Sequence, residues 1–267
     1  MIRKLKESDI LGLNNLPPAD WTFDYESFLN NYGKDDFFHA FVMICNERII
    51  GTGNVLLKGK IGWLANIIIV DDYRGKGLGF EMTKFLVEFL SEKGAETQLL
   101  IATDLGEKVY QKIGFKKISD YLRFESQVDF DYTQTNAIRP LKPSDLENTY
   151  KLDQEVNDEN RQHIIDKYYK TGLGYFTENK ELLGFYLPDF SRGLVLAWNK
   201  EVGIELLKLK HSKKGKRTMV PIENIDAINF FKSNGFKEGN KCSRMILGKE
   251  NNWNPEFIYS YGSGYCG

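Results

Sequence analysis

The residues with the clearest ligand-binding chemistry form one glycine-rich stretch, Asp71-Asp72-Tyr73-Arg74-Gly75-Lys76-Gly77-Leu78-Gly79. It follows the β-branched run 67–70 and precedes apolar residues at helical spacing, so it joins a strand to a helix. Glycines let the backbone approach a ligand closely. The first N–H groups of a helix have no internal partner and lie at the positive end of the helix dipole. With the charges of Arg74 and Lys76, the stretch predicts a pyrophosphate site.

Three loop types carry glycines in such a position, and the spacing separates them. A P-loop needs Ser or Thr after Gly-Lys, but Gly77 follows Lys76. A dinucleotide-binding loop needs a glycine where this chain has Phe80. The spacing Arg-x-x-Gly-x-Gly fits, through Arg74, Gly77 and Gly79. A strand-to-helix turn without a ligand is the alternative if the stretch is taken alone.

A second motif, Tyr110-Gln-Lys-Ile-Gly-Phe, lies downstream in a predicted short helix. Together the two motifs resemble the GNAT N-acetyltransferase superfamily, and the resemblance covers residues 1–128. It implies acetyl-CoA as cosubstrate, with the loop on the pyrophosphate and the main chain of the preceding strand on the pantetheine arm. The implied cosubstrate-binding residues are Ile67, Ile68, Ile69, Arg74, Gly75, Lys76, Gly77, Leu78, Gly79, Thr103 and Tyr110.

The resemblance also implies direct attack of an amine on the thioester, with Tyr110 protonating the thiolate and a strand N–H as oxyanion donor. Packing on its helix face is the alternative role for Tyr110. Residues 63–66 contain no glutamate to act as base, so Asn66 is the candidate for orienting a water or the amine. His39 and Asp104 are further candidates, for which a structural role and helix capping are the simpler expectations.

Hydrophobic periodicity predicts the elements that position these residues. Alternating segments at 37–45 and 49–57 predict a hairpin, and 63–70 predicts a buried strand. A helix should follow from residue 78 and close at Gly94, and a shorter one at 106–113 should be capped by Gly114. Further strands are predicted at 97–101 and within 115–128. This order predicts an α/β domain with a mixed sheet.

The chain also repeats itself. Four segments recur in the same order: residues 2–9 at 138–145, 46–51 at 179–184, Gly79 at Gly203, and 110–116 at 231–237. These matches predict a duplicated domain, with one GNAT-like domain at 1–128 and a second at 137–267. The joint is expected near residues 127–136.

The second domain lacks the residues that carry chemistry in the first. Trp198 stands in the place of Arg74, Glu201 in that of Gly77, and Phe231 in that of Tyr110. A carboxylate and a bulky ring would exclude a pyrophosphate. We therefore predict a degenerate domain that serves as scaffold or as a wall of the acceptor pocket.

Bulk composition narrows the remaining classes. The 267 residues have a net charge of −1 and 42% hydrophobic content, with three cysteines and three histidines that lack metal-ligand spacing. No apolar run approaches the ~20 residues that span a bilayer. We expect a cytoplasmic, metal-free protein that binds neither nucleic acid nor membrane, and a homo-oligomer stays open. The basic stretch 208–217 should be a solvated helix end, and the aromatic tail 253–267 should pack on the body.

The favoured function is acetylation of a primary amine on a small molecule. An acetyl-CoA-binding sensor without turnover and a protein or peptide N-acetyltransferase are the alternatives. A nucleic-acid-binding module would depend on the 208–217 stretch alone. The residue pattern carries no code for the acceptor.

Overall fold

The computed structural model describes residues 1–13, 16–17, 24–125, 132–212 and 217–264. The chain forms two compact units, Met1–Ile118 with Arg244–Glu250 and Ser119–Ser243 with Asn251–Gly267. Positions 127–131 of the expected joint lie outside the described residues.

The elements of the first half follow the predicted alternation, with boundaries shifted by a few residues. In chain order they are β1 Ile2–Lys4, α1 Ile10–Leu13, α2 Tyr25–Tyr32, β2 Phe38–Cys45, β3 Arg48–Lys58, β4 Ile61–Ile69, α3 Leu78–Glu92, β5 Thr97–Ala102, α4 Asp104–Ile113 and β6 Lys116–Glu125.

The second half repeats part of this order with shorter strands. Its elements are β7 Ile138–Pro140, α5 Leu146–Asn157, α6 Gln162–Tyr168, β8 Leu173–Phe176, β9 Leu182–Leu187, β10 Leu194–Ala197, α7 Lys200–Lys210, β11 Arg217–Pro221, α8 Ile225–Ser233, β12 Lys237–Glu238, β13 Cys242–Gly248 and β14 Ile258–Ser260. Both halves therefore have the mixed α/β architecture that the sequence predicts.

The sheet of the first unit runs in the order β1-β2-β3-β4-β5-β13. Helix α3 packs closely on it because two strand positions lack side chains. A Cβ added at Gly53 would lie 2.8 Å from Cδ1 of Leu86, and one at Gly62 would lie 2.7 Å from Cδ2 of Leu90. These leucines are fully buried in the core of this unit.

Strand β4 has two irregularities that shape the unit. It pairs with β5 in parallel only at residues 61–63, and within the described chain residues 64–69 have no partner in β5. On its other edge, the register with β3 shifts between Thr52 and Asn54. Asn66 lies opposite this shift and has a φ of +50°. Strand β4 therefore bulges and leaves part of one edge open.

The last strand of the first unit comes from the far end of the chain. The Thr97 hydroxyl donates to the Lys249 carbonyl at 2.8 Å, and the guanidinium of the buried Arg244 lies 4.9 Å from the centre of the Trp63 ring. Residues 119–125 of β6 belong instead to the second unit, where they pair with β11. The predicted division at 128 and 137 places residues 244–250 in the second half. Pairing between strands that are distant along the chain leaves no local pattern in the sequence from which this arrangement could be predicted.

The second unit has a sheet in the order β14-β10-β9-β8-β7, beside which β6 pairs with β11 and β12. Its core gathers α7 and α8 around fully buried side chains such as Leu206 and Phe231. The rings of Phe231 and Phe124 stack at 4.8 Å.

One ion pair recurs at the same place in both units. Arg3 donates to both carboxylate oxygens of Asp9 at 2.7 and 2.8 Å, and Arg139 does the same to Asp145 at 2.7 and 3.0 Å. In each case the guanidinium holds the pKa of the carboxyl below its usual range. The repeated segments 2–9 and 138–145 therefore have the same local structure.

We expect Met245→Ala to lower the free energy of unfolding by about 2–5 kcal/mol, because this fully buried side chain fills the core of the first unit. Amide hydrogen exchange should accelerate in β5 and not in β9. Ile118→Ala is the control, since that side chain is 38% exposed and should cost less. Loss of protection in β9 alone would contradict the placement of the C-terminal strand.

Candidate functional site

The glycine-rich loop is held at the end of β4 by Arg74. Residues Asp71–Tyr73 form a 3₁₀ turn, after which Arg74 Nε donates to the Ile69 carbonyl at 2.9 Å. Its guanidinium also pairs with Asp71 at 2.8 Å, and the side chain is 44% exposed. The charge therefore lies between the strand edge and solvent, where an anion can reach it.

The three glycines leave the backbone at the start of α3 uncovered. Gly75 and Gly77 have φ values of +74° and +81°, which only glycine adopts readily. An added Cβ at either position would meet no atom within 4 Å, and one at Gly79 would come no nearer than 4.0 Å to Ile69. Packing within the protein therefore does not require Gly79 to lack a side chain, whereas close approach of a ligand would.

Lys76 and the helix N–H groups complete the positive end of α3. The Lys76 ammonium donates to the Asp72 carbonyl at 3.0 Å and lies 4.9 Å from the centre of the Tyr73 ring. Leu78 and Gly79 are the first two residues of α3, so their N–H groups have no acceptor within the helix. The sequence predicts an anion site at these groups, which lie together at the start of α3.

The open edge of β4 leads into this loop. The Val70 N–H donates to the Ile50 carbonyl of β3 at 3.0 Å. Because backbone groups alternate between the two edges of a strand, those of Ile69 and Ile67 face away from β3, while those of Ile68 face toward it. The Ile69 carbonyl accepts the bond from Arg74 on this open edge. The N–H groups of Ile67 and Ile69 are thus directed into the space between β4 and β5.

Tyr110 lies on α4, which ends at Gly114 with a φ of +115°. Its ring packs edge-on against Phe115 at 6.2 Å and shares an apolar cluster with Tyr73 and Ile67. Burial raises the pKa of the Tyr110 phenol to about 12. A Cβ at Gly106 would lie 2.8 Å from Cε2 of Tyr110, so a side chain at this position would displace the ring.

The remaining candidates fall at different places. The Thr103 carbonyl accepts from the Gly106 and Glu107 N–H groups at the start of α4, and Asp104 is the exposed first residue of that helix. His39 packs against Phe89 at 5.0 Å, about 16 Å along α3 from its start at a rise of 1.5 Å per residue. Burial lowers the pKa of His39. The structure does not bring His39 to the loop.

Asn66, the candidate on the strand before the loop, is held by the bulge. Its carbonyl accepts from the Tyr25 hydroxyl at 3.4 Å, and this hydroxyl also lies 3.3 Å from the Thr52 hydroxyl. The Asn66 amide nitrogen is buried and has no hydrogen-bond partner among the described residues. The sequence does not single out Tyr25, because nothing in its local pattern distinguishes it from a packing residue.

A cleft of about 400 Å³ opens between α1 and the start of β3 and reaches Val70, at the end of β4 beside the loop. Arg3 and Asp9 line it. The same ion pair occurs in the second unit, so the fold explains the position of Arg3 and Asp9.

In the second unit the equivalent helix start is covered. Asn199 caps α7 by accepting from the Val202 N–H at 3.0 Å. A Cβ at Gly203 would lie 2.2 Å from Cζ of Tyr259, so the Tyr259 ring rests on this glycine. Trp198, in the position of Arg74, packs edge-on against Phe257 at 5.2 Å.

The covering segment runs between β10 and β11. Strand β14 pairs with β10, and the Tyr261 N–H donates to the Met219 carbonyl of β11 at 2.8 Å. The Asn224 amide donates to the Ile258 carbonyl at 3.1 Å. This confirms that the described part of the aromatic tail packs on the body; residues 265–267 lie outside the described range.

Lys210 anchors the same segment and corrects one expectation. Its ammonium donates to the Arg192 and Gly193 carbonyls at 2.5 and 3.0 Å and to the Ser260 hydroxyl at 2.6 Å. The residue is 2% exposed. The expectation of a solvated helix end over 208–217 is therefore wrong at Lys210, because its ammonium has three protein acceptors. Residues 213–216 lie outside the described chain.

Within the described residues, no group of three or more His, Cys, Asp or Glu side chains could hold a metal ion. None of the helices there is long and apolar enough to cross a membrane.

The first half of the chain is similar in sequence to known proteins. Residues 10–115 match the model of the acetyltransferase (GNAT) family. YobR, an uncharacterized N-acetyltransferase of Bacillus subtilis, is 32% identical over 84 residues, which are 30% of this chain and 34% of that protein. The chain thus spans about a third of the length of that relative.

Solved structures share the fold of the whole chain. A Pyrococcus horikoshii protein named as a candidate acetyltransferase matches with a TM-score of 0.84 at 18% identity, over 100% of this chain and 95% of that one. A tandem GNAT protein from the clavulanic acid biosynthesis pathway matches with a TM-score of 0.62 at 10% identity, over 93% and 98%. The match to the acetyltransferase (GNAT) family model, over residues 10–115, thus includes the loop, the open strand edge and Tyr110.

Proposed function

We propose that the first unit transfers the acetyl group of acetyl-CoA to a primary amine of a small-molecule acceptor. One observation carries the proposal. An uncovered helix start with three glycines and two cationic side chains lies directly after a strand edge that, in the described chain, has no ladder partner in β5.

The residues present suit the pyrophosphate and pantetheine of acetyl-CoA. A Cβ at Gly75 or Gly77 would project into open space, so these positions can admit a phosphate close to the backbone. Arg74 and Lys76 supply charge, and the edge of β4 offers main-chain groups to an amide-containing arm. When bound, acetyl-CoA supplies an acetyl group activated as a thioester.

The protein groups at the open edge would act on charge that develops during transfer. The N–H groups of Ile67 and Ile69 are fixed donors for an oxyanion and need no rearrangement to reach it. Tyr110 would donate its proton to the departing thiolate. Since its pKa is about 12, the phenol stays protonated at neutral pH and is lost as an acid only as the pH rises toward that value.

Deprotonation of the amine remains the step without an assigned group. A free alkylammonium has a pKa near ~10, so the acceptor must lose a proton before it attacks. Asn66 is neutral and can orient the amine or a water but cannot take the proton.

We propose that the second unit neither binds acetyl-CoA nor catalyses transfer, and that it serves as scaffold. Tyr259 covers Gly203, and β14 occupies the edge of β10. A sensor without turnover and a protein or peptide acetyltransferase are the competing outcomes of the experiments below.

Calorimetric titration of the full chain with acetyl-CoA should give one site per chain. Arg74→Ala should weaken binding by about 10- to 100-fold, the usual effect of losing a charge-assisted hydrogen bond. Trp198→Ala, the matched change in the second unit, should leave the affinity and the stoichiometry unchanged. Two sites, or no binding, would reject the assignment.

Tyr110→Phe should lower kcat by about 10²- to 10⁴-fold in a thiol-release assay with a panel of primary amines. Acetyl-CoA affinity should not change, because the ring is retained. Tyr73→Phe is the control for removal of a hydroxyl within the glycine-rich stretch and should keep full activity. An unaltered kcat in Tyr110→Phe would assign Tyr110 to packing alone.

The two equivalent glycines should respond in opposite ways to alanine. Gly203→Ala should lower the free energy of unfolding by about 1–3 kcal/mol, because the new methyl group meets the Tyr259 ring. Gly79→Ala should change it by less than about 0.5 kcal/mol, yet weaken acetyl-CoA binding. Thermal unfolding and calorimetry on both variants measure this contrast, and a destabilised Gly79→Ala would contradict it.

A further inference from the structure

Asn54 has a side chain that the fold alone does not explain. The residue is 0% exposed, and neither its amide oxygen nor its amide nitrogen has a hydrogen-bond partner in the described chain. A buried primary amide with neither atom bonded opposes folding, because water would satisfy both atoms in the unfolded state. An arrangement of this kind calls for a specific reason.

The direction of the Asn54 side chain follows from its neighbours on β3. A Cβ at Gly53 would meet Leu86 and Met82 of α3, so the adjacent Asn54 faces the opposite side of the sheet. Thr52, two residues earlier, shares that side, and its hydroxyl lies 3.3 Å from the Tyr25 hydroxyl and donates to the Phe41 carbonyl at 3.0 Å. Asn54 thus lies on the side of the sheet that carries Tyr25.

Small side chains flank Asn54 on both neighbouring strands. Its register partners are Ala40 on β2, which is partly exposed, and Ala65 on β4. Ala65 directly precedes Asn66, whose amide nitrogen is also buried and unbonded. Two amides with unmet hydrogen-bonding capacity therefore lie on either side of the β3–β4 register shift, at the point where the open edge of β4 begins.

The second unit provides a natural comparison. The repeated hairpin aligns Gly51 with Gly184, which places Leu187 at the position of Asn54. Leu187 is 0% exposed, and β9 pairs with β10 without any register shift. No residue of β10 has a positive φ. This fold thus forms with an apolar residue at this position and without a bulge.

We propose that Asn54 binds the acceptor. Its amide oxygen accepts a hydrogen bond from the amino group, and its amide nitrogen donates one to an oxygen atom on the carbon next to the amine-bearing carbon. The inference rests on the proposed transfer to an amine. An amide that offers one acceptor and two donors is complementary to a ligand with both functions, such as an amino alcohol or an amino sugar. Among the described residues, the polar groups placed in this region, Tyr25, Thr52 and Asn66, are uncharged, so the site suits a neutral amine.

The test uses the full chain and substitutes the residue of the second unit, Asn54→Leu. Because the leucine removes two unbonded polar atoms, the unfolding temperature should stay the same or rise. Asn157→Leu is the matched control: Asn157 is equally buried, but its amide donates to the Asp153 carbonyl at 3.0 Å, so this variant should unfold at a lower temperature.

Acetyl transfer is then compared for ethanolamine and propylamine. Ethanolamine carries a hydroxyl group where propylamine carries a methyl group. The wild-type protein should prefer ethanolamine, and Asn54→Leu should lose about 10- to 100-fold in kcat/KM for ethanolamine with little change for propylamine. Acetyl-CoA affinity should be the same in both proteins.

Three results would overturn the inference: a lowered unfolding temperature in Asn54→Leu, an equal loss for the two amines, or no loss for either. Failure of the proposed function has a different signature. In that case the wild-type protein binds no acetyl-CoA or acetylates no amine, and the inference falls with it.

Discussion

The separation of β4 from β5 is the constraint on which the rest of this molecule depends. Backbone N–H and C=O groups in a protein interior need partners, and β4 loses its partner in β5 after Trp63. In the second unit the corresponding edge of β10 is paired with β14. The two units thus differ at this strand edge. In the first unit the edge of β4 can accept an amide-containing ligand, and in the second a segment of the chain itself pairs with β10.

The side-chain differences between the units follow from this difference at the strand edge. In the first unit, where the strand edge is unpaired, Gly79 has free space above it and Arg74 reaches solvent. In the second unit, where the edge is paired, Gly203 lies under the Tyr259 ring, and Trp198 packs against Phe257. Lys210 donates hydrogen bonds to the carbonyls of residues 192 and 193 and to the Ser260 hydroxyl. The residue differences in the second unit therefore act together to cover one helix start and one strand edge.

The sequence predicts those features that depend on neighbours along the chain. Gly77 and Gly114 begin and end helices as expected, because positive φ favours glycine. It does not predict that the strand containing Met245 belongs to the first unit, since strand pairing across the chain leaves no local pattern. The bulge at Asn66 was missed for a related reason: the positive φ depends on a register shift with β3, which a β-branched run conceals.

The two units share some of their buried polar residues and differ in others. The Arg3–Asp9 pair recurs as Arg139–Asp145 with nearly the same distances, so it serves the fold in both. Asn54 has no such counterpart, because the second unit places Leu187 there in an unbroken ladder. A buried polar group that both units retain and hydrogen-bond stabilises the structure, whereas Asn54 occurs in one unit and has no hydrogen-bond partner among the described residues. This contrast supports the proposed ligand-binding role of Asn54.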